Sequence, residues 1–137
     1  MKRINEILPK AMHALMESDL LIPPDKKSIP KEYDGYVASF APSVITAGLK
    51  ATLSFYTDNH KSSPKRVKIL NLLYAIYKQQ YNRLQGNDLL SIALDTNAAD
   101  ERQLRKDLID CAIALKLVMR NFEQIDAEPK NQNPAQP

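Results

Sequence analysis

The side chains in this 137-residue sequence with the most chemical potential are two histidines, one cysteine and a pair of aspartates three residues apart. A zinc or other transition-metal site needs three or four His, Cys, Asp or Glu donors at short, patterned spacings. His13 and His60 stand far apart with no patterned carboxylates beside them, so His13 is read as a residue of the first helix surface and His60 as part of a polar turn. Cys111 has no second cysteine to pair with and sits inside a helical pattern, which makes it a small core residue rather than a nucleophile or ligand. Asp107 and Asp110 lie near Arg102, Arg105 and Lys106, and are read as solvated charges on a polar helix face rather than as an acid–base pair. Neither a nucleophile elbow nor a phosphate-cradling glycine loop is present, so the sequence predicts a protein without catalysis and without a cofactor.

The compositional feature that does ask for a function is basic. The formal net charge is +3, but residues 59 to 87 hold six cations, Lys61, Lys65, Arg66, Lys68, Lys78 and Arg83, and no acid. Residues 1 to 58 carry seven basic and seven acidic groups, and residues 88 to 137 carry six and nine, so the excess is concentrated in the middle. Clustered cations attract phosphate through charge and counterion release, giving salt-sensitive binding with no sequence preference. Lys61, Lys65, Arg66 and Lys68, with Lys26 and Lys27 of an earlier proline-containing loop, are the candidate nucleic-acid-binding residues. The competing reading of the same run is a solvated helix face. Tyr74, Tyr77 and Tyr81 could stack bases, but their spacing of four and three coincides with the apolar face of their helix, which favours burial.

Helical periodicity must position these residues, since no segment alternates apolar and polar side chains over the length of a strand. The pattern predicts an all-α, single-domain bundle of about five or six helices over residues 1–127, with residues 128–137, three of them proline, as a disordered tail. A first helix from about Arg3 to Leu20 carries Ile4, Leu8, Ala11, Met12 and Leu15, with Pro9 predicting a kink or a later start. Ile22 to Pro30 reads as an exposed mobile loop. Tyr33, Val37, Phe40, Val44, Leu49, Leu53 and Phe55 or Tyr56 then mark two helices, divided near Ala47 by Gly48, with Pro42 as further punctuation.

Ser63-Pro64 predicts the start of a helix that runs to about Leu84 on a face of Val67, Leu70, Leu73, Tyr74, Tyr77, Tyr81 and Leu84, with Gly86 as its stop. A short helix from Asp88 to Leu94 follows. Thr96 or Asn97 caps a last long helix, to about Ile125, buried through Leu104, Leu108, Cys111, Leu115, Val118, Phe122 and Ile125.

Hydrophobic residues make up 44% of the chain and charged residues 26%, the balance of a folded protein. No apolar run reaches the roughly 18 residues of a spanning helix, and the first residues lack the apolar core of a signal peptide, so a cytoplasmic protein is expected.

The segment APSVITAGLKATLSFY, which follows a tyrosine-led helix, resembles the small helical subunit of the type III-B CRISPR effector complex. The residues that carry the likeness are Pro42, Ile45, Gly48, Leu49, Leu53 and Phe55, at the offsets of that family's proline, isoleucine, Gly-Leu pair and Leu-x-Phe. The order of opening helix, proline-containing loop, basic region and long closing helix extends the likeness along the chain. The resemblance implies a non-catalytic all-α subunit, present in several copies, that forms the inner filament of an RNA-guided antiviral complex and helps hold target RNA against the guide. Its implied partners are the large polymerase-like subunit, the backbone subunits, further copies of itself, and guide and target RNA. The type III-A small subunit and a helical adaptor that binds only protein are the alternatives.

Overall fold

The computed structural model describes residues 2–57, 65–81, 83–84 and 86–126. The expected turn at His60, the candidate Lys61, the Ser63-Pro64 cap and the tail from 128 lie outside the described residues. Six helices are present among the described residues: α1 (Lys2–Glu17), α2 (Lys31–Ala47), α3 (Leu49–Thr57), α4 (Lys65–Gln80), α5 (Leu89–Asp95) and α6 (Ala98–Met119). α6 is the central element. α1 packs along it most extensively, α2 and α4 also lie on it, and α3 contacts α2, α4 and α5.

Each helix contributes an apolar stripe to a shared buried cluster, from Ile4, Ile7, Ala11 and Leu15 of α1 to Leu104, Leu108, Cys111 and Leu115 of α6. Tyr33, Val37, Phe40 and Val44 of α2 and Leu49, Leu53 and Tyr56 of α3 complete one wall, with Phe40 and Tyr56 edge to face at 5.6 Å. α1 and α2 run through Pro9 and Pro42. Both prolines are exposed, as are Asn5 and Ala38 four residues earlier, so water can meet the carbonyls that lose their helical donors.

Local chemistry sets the helix ends. Asn97 accepts from the Asp100 amide at 2.8 Å and caps α6, and Asp88 accepts from Ser91 at 2.8 Å to open α5. α2 and α3 are separated by Gly48 alone, whose φ of 97° and ψ of 162° belong to a region that side-chain-bearing residues avoid. A Cβ there would meet nothing within 4 Å, so the penalty for Gly48→Ala is one of backbone conformation only. Urea unfolding of Gly48→Ala should register a loss of about 1–2 kcal/mol.

Several expectations need correction. The 22–30 segment is not simply an exposed loop: it ends in β1 (Ser28–Pro30), which pairs in parallel with β2 (Glu123–Ile125), Ile29 opposite Gln124. Ile29, Leu20 and Leu21 are buried. The last helix stops at Met119 rather than near Ile125, because three successive i to i−3 amide bonds, from Arg120, Asn121 and Phe122, tighten the backbone into a turn that leads into β2. α1 ends at Glu17 and α4 at Gln80, and Gly86 lies in the α4–α5 connection, close against Ile92, rather than at a helix end.

Candidate nucleic-acid interface

α4 begins with Lys65-Arg66-Val67-Lys68, and its first turn packs beside the end of α1 and the start of α2. The Lys65 ammonium lies 2.6 Å from Glu32 in the first turn of α2, both side chains about three-quarters buried. Lys68 reaches Asp19, just past α1, at 3.2 Å. The run that is free of acids in sequence therefore meets acids in space, supplied by other segments. The exposed Lys68–Asp19 pair contributes about 0–1 kcal/mol, so an anion can displace Asp19 at small cost, whereas the more buried Lys65–Glu32 pair is held more firmly.

Lys26 and Lys27 are exposed in the connection between α1 and β1. Lys26, at φ 57°, directs its ammonium to the Met16 carbonyl at 3.4 Å, near the negative end of the α1 dipole. The Lys27 amide donates to Asp25 at 3.2 Å, which shapes the turn. Lys26 and Lys68 thus converge on the C-terminal end of α1, one on Met16 and the other on Asp19, although they are far apart in sequence. An open cleft of about 360 Å³ starts there, with a floor of Ala14, Leu20, Leu72 and Ala75, and with His13 and Lys68 at its rim.

Arg66 behaves differently from the lysines. Its guanidinium sits over two rings, 4.4 Å from the centroid of Phe55 and 5.5 Å from that of Tyr36, and its Nε is enclosed without a hydrogen-bond partner. The aromatic candidates divide. Tyr77 is fully buried and Tyr74 and Tyr81 are half-buried, whereas Phe55 is 57% exposed. Phe55 and Tyr36, the two rings against Arg66, are not among the residues that the sequence marks for nucleic-acid contact; Phe55 enters there only as an apolar position and as part of the family likeness. A signal existed in the pattern, since Tyr56 alone satisfies the core register of α3 and leaves Phe55 facing outward.

Asp107 overturns its reading as a solvated charge. It is fully buried, with Oδ1 accepting from Gln103 at 2.9 Å and Oδ2 within 3.3 Å of Arg83 Nε but not aligned as a hydrogen bond. Burial raises its pKa above the ordinary carboxylate value, against the Gln103 bond and the Arg83 charge. Burial, together with the Asp107 charge, also pushes the Tyr81 phenol up to about 12 and raises the buried Cys111 thiol. A space of about 30 Å³ lies between Tyr77, Arg83 and Asp107, and the outer sides of Tyr81 and Arg83 line an open surface cleft shared with Arg3 and Glu6. Asp110 instead takes a 3.1 Å bond from Arg3 at the surface. Among the described residues, no three His, Cys, Asp or Glu side chains come together as a metal site would require, and no helix is long and apolar enough to cross a membrane.

A family model described as CRISPR-associated protein (Cas_Cmr5) matches residues 9–120. No curated protein and no solved structure matches the chain.

Proposed function

This chain belongs to the CRISPR-associated Cas_Cmr5 family of Cmr-complex small subunits, and from that premise we propose that it is a non-catalytic subunit of a type III-B effector that helps hold target RNA against the guide. In this reading several copies stack as the inner filament beside the backbone subunits and the large polymerase-like subunit, and each copy turns the end of α1 and the start of α4 toward the RNA. The observation that carries the RNA part is the convergence of Lys26 and Lys68, from distant segments, on the end of α1, next to Lys65 and Arg66. A single copy offers few phosphate contacts, each screened by salt, so its own affinity is weak. Alignment of copies along one strand multiplies those contacts.

The test is a complex reconstituted with a subunit carrying Lys61→Ala, Lys65→Ala, Arg66→Ala and Lys68→Ala. Assembly should persist, because the three described residues are partly exposed and none belongs to the core cluster. Capture of target RNA should weaken by about tenfold for every target sequence, and the salt dependence should become shallower by about one unit of log–log slope per lost contact. Normal assembly with unchanged affinity and slope would favour the protein-only adaptor, in which Glu32 and Asp19 keep their lysines.

A further inference from the structure

Phe55 is large, aromatic and 57% exposed, yet its surroundings hold it in place. Tyr56, its neighbour in α3, is buried and anchored: its hydroxyl donates to the Tyr36 carbonyl at 2.6 Å and lies 2.9 Å from Ser39 Oγ. The Tyr56 ring meets Phe55 edge-on, centroids 6.0 Å apart and planes at 74°. From the other helix, Arg66 lies over the Phe55 ring and close to Tyr36. Ring contact, rather than a carboxylate, positions that guanidinium among the described residues. The result is an exposed Phe55 ring held between Tyr56 and the partly buried Arg66 guanidinium, on the same turn of α4 as Lys65 and Lys68.

An exposed apolar ring that the core does not need invites an occupant, and the charge beside it selects which. Aromatic rings and guanidinium planes both stack on nucleobases, and stacking tolerates any base because every base has a π-face. Phosphates flanking a stacked base would fall among the cations of α4 and could take over from Asp19. We propose that Phe55, Arg66 and Tyr36 form a nucleobase-stacking site for single-stranded RNA, so that this face grips unpaired bases as well as backbone charge. The inference rests on the RNA-holding reading above and adds base contact to it. A duplex, with its bases stacked internally, would be a poor ligand.

The experiment measures fluorescence anisotropy of the full-length chain at low salt with two probes: a short single-stranded oligouridylate and an abasic ribose-phosphate strand of the same length. The parent should bind oligouridylate more tightly than the abasic strand. Phe55→Ala should lose about tenfold on oligouridylate and nothing on the abasic strand, Phe55→Leu should lose a similar factor despite keeping apolar bulk, and Phe55→Trp should retain binding. Unchanged circular dichroism melting is expected for all three, since the side chain lies outside the core. Equal binding of both probes by the parent, or equal losses on both in Phe55→Ala, would overturn base stacking while leaving charge-based RNA holding intact. Unaltered RNA binding by Phe55→Ala accompanied by failed assembly of the complex would overturn it in favour of a protein contact. If the parent binds neither probe at low salt, the stacking site is overturned, while RNA holding by aligned copies is decided by the reconstituted complex.

Discussion

Ile29→Ala should lower the unfolding free energy by about 2–5 kcal/mol, the range for removing a buried aliphatic side chain from a packed interior. Prolines and lysines surround Ile29 in sequence, which predicts a segment that tolerates change. In the fold it is fully buried, and its strand is tied on both sides: the Ile22 amide donates to Ser28 at 2.9 Å and the Glu123 amide to Lys27 at 3.1 Å. Pro30 then delivers the chain into α2, so a cavity at Ile29 would loosen the helix start that carries Glu32, the partner of Lys65. Exposed Lys27, two residues away, serves as the control, and Lys27→Ala should stay within about 0.5 kcal/mol of the parent. A change at Ile29 no larger than at Lys27, measured by urea unfolding, would return this segment to the status of a loose loop.

The helices were legible because their apolar residues repeat every three or four positions over long stretches; the division at Gly48 was legible from one residue's chemistry, and the cap of α6 was narrowed to Thr96 or Asn97, of which the fold uses Asn97. The small parallel sheet was not. Three residues are too few to show a two-residue period, and Phe122 and Ile125 fit a continuing helix as well as a turn followed by a strand. The face of α4 was only partly readable, since Ile69, Leu72 and Ile76 are buried with Leu70, Leu73 and Tyr77, while Val67, Tyr74, Tyr81 and Leu84 are half-buried. The buried face of α4 is wide, so the pattern gives no narrow stripe to choose. For the candidate interface, cations could be counted along the chain, but the acids that face Lys65 and Lys68 come from residues far earlier, and only the fold brings them there.

Asp107 shows the same limit and supplies the last expectation. It stands three residues after Leu104 and four before Cys111, in the buried register of α6, a signal masked by the charged residues around it. Because burial raises its pKa in the folded protein, the penalty for its charge is absent below the unfolded carboxylate value near about 4, develops as pH rises through the raised folded value, and is complete above it. Arg83 offsets part of that penalty from 3.3 Å. Arg83→Ala should therefore cost about 2–3 kcal/mol near neutral pH, below the usual loss for a broken buried pair because the guanidinium is half-exposed. With the positive charge gone, the folded pKa of Asp107 should rise further. Acidification from neutral pH should then restore much of the difference from the parent. Asp107→Asn should do the same at every pH, since an amide of the same shape can keep the Gln103 contact without the charge. A double-mutant cycle of Arg83→Ala and Asp107→Asn, followed by urea unfolding across pH, measures the coupling directly. If the two substitutions prove additive and the pH profile of Arg83→Ala runs parallel to the parent, Arg83 stabilises through its 5.0 Å contact with the Tyr81 ring, and the buried carboxylate is sustained by Gln103 and its packing alone.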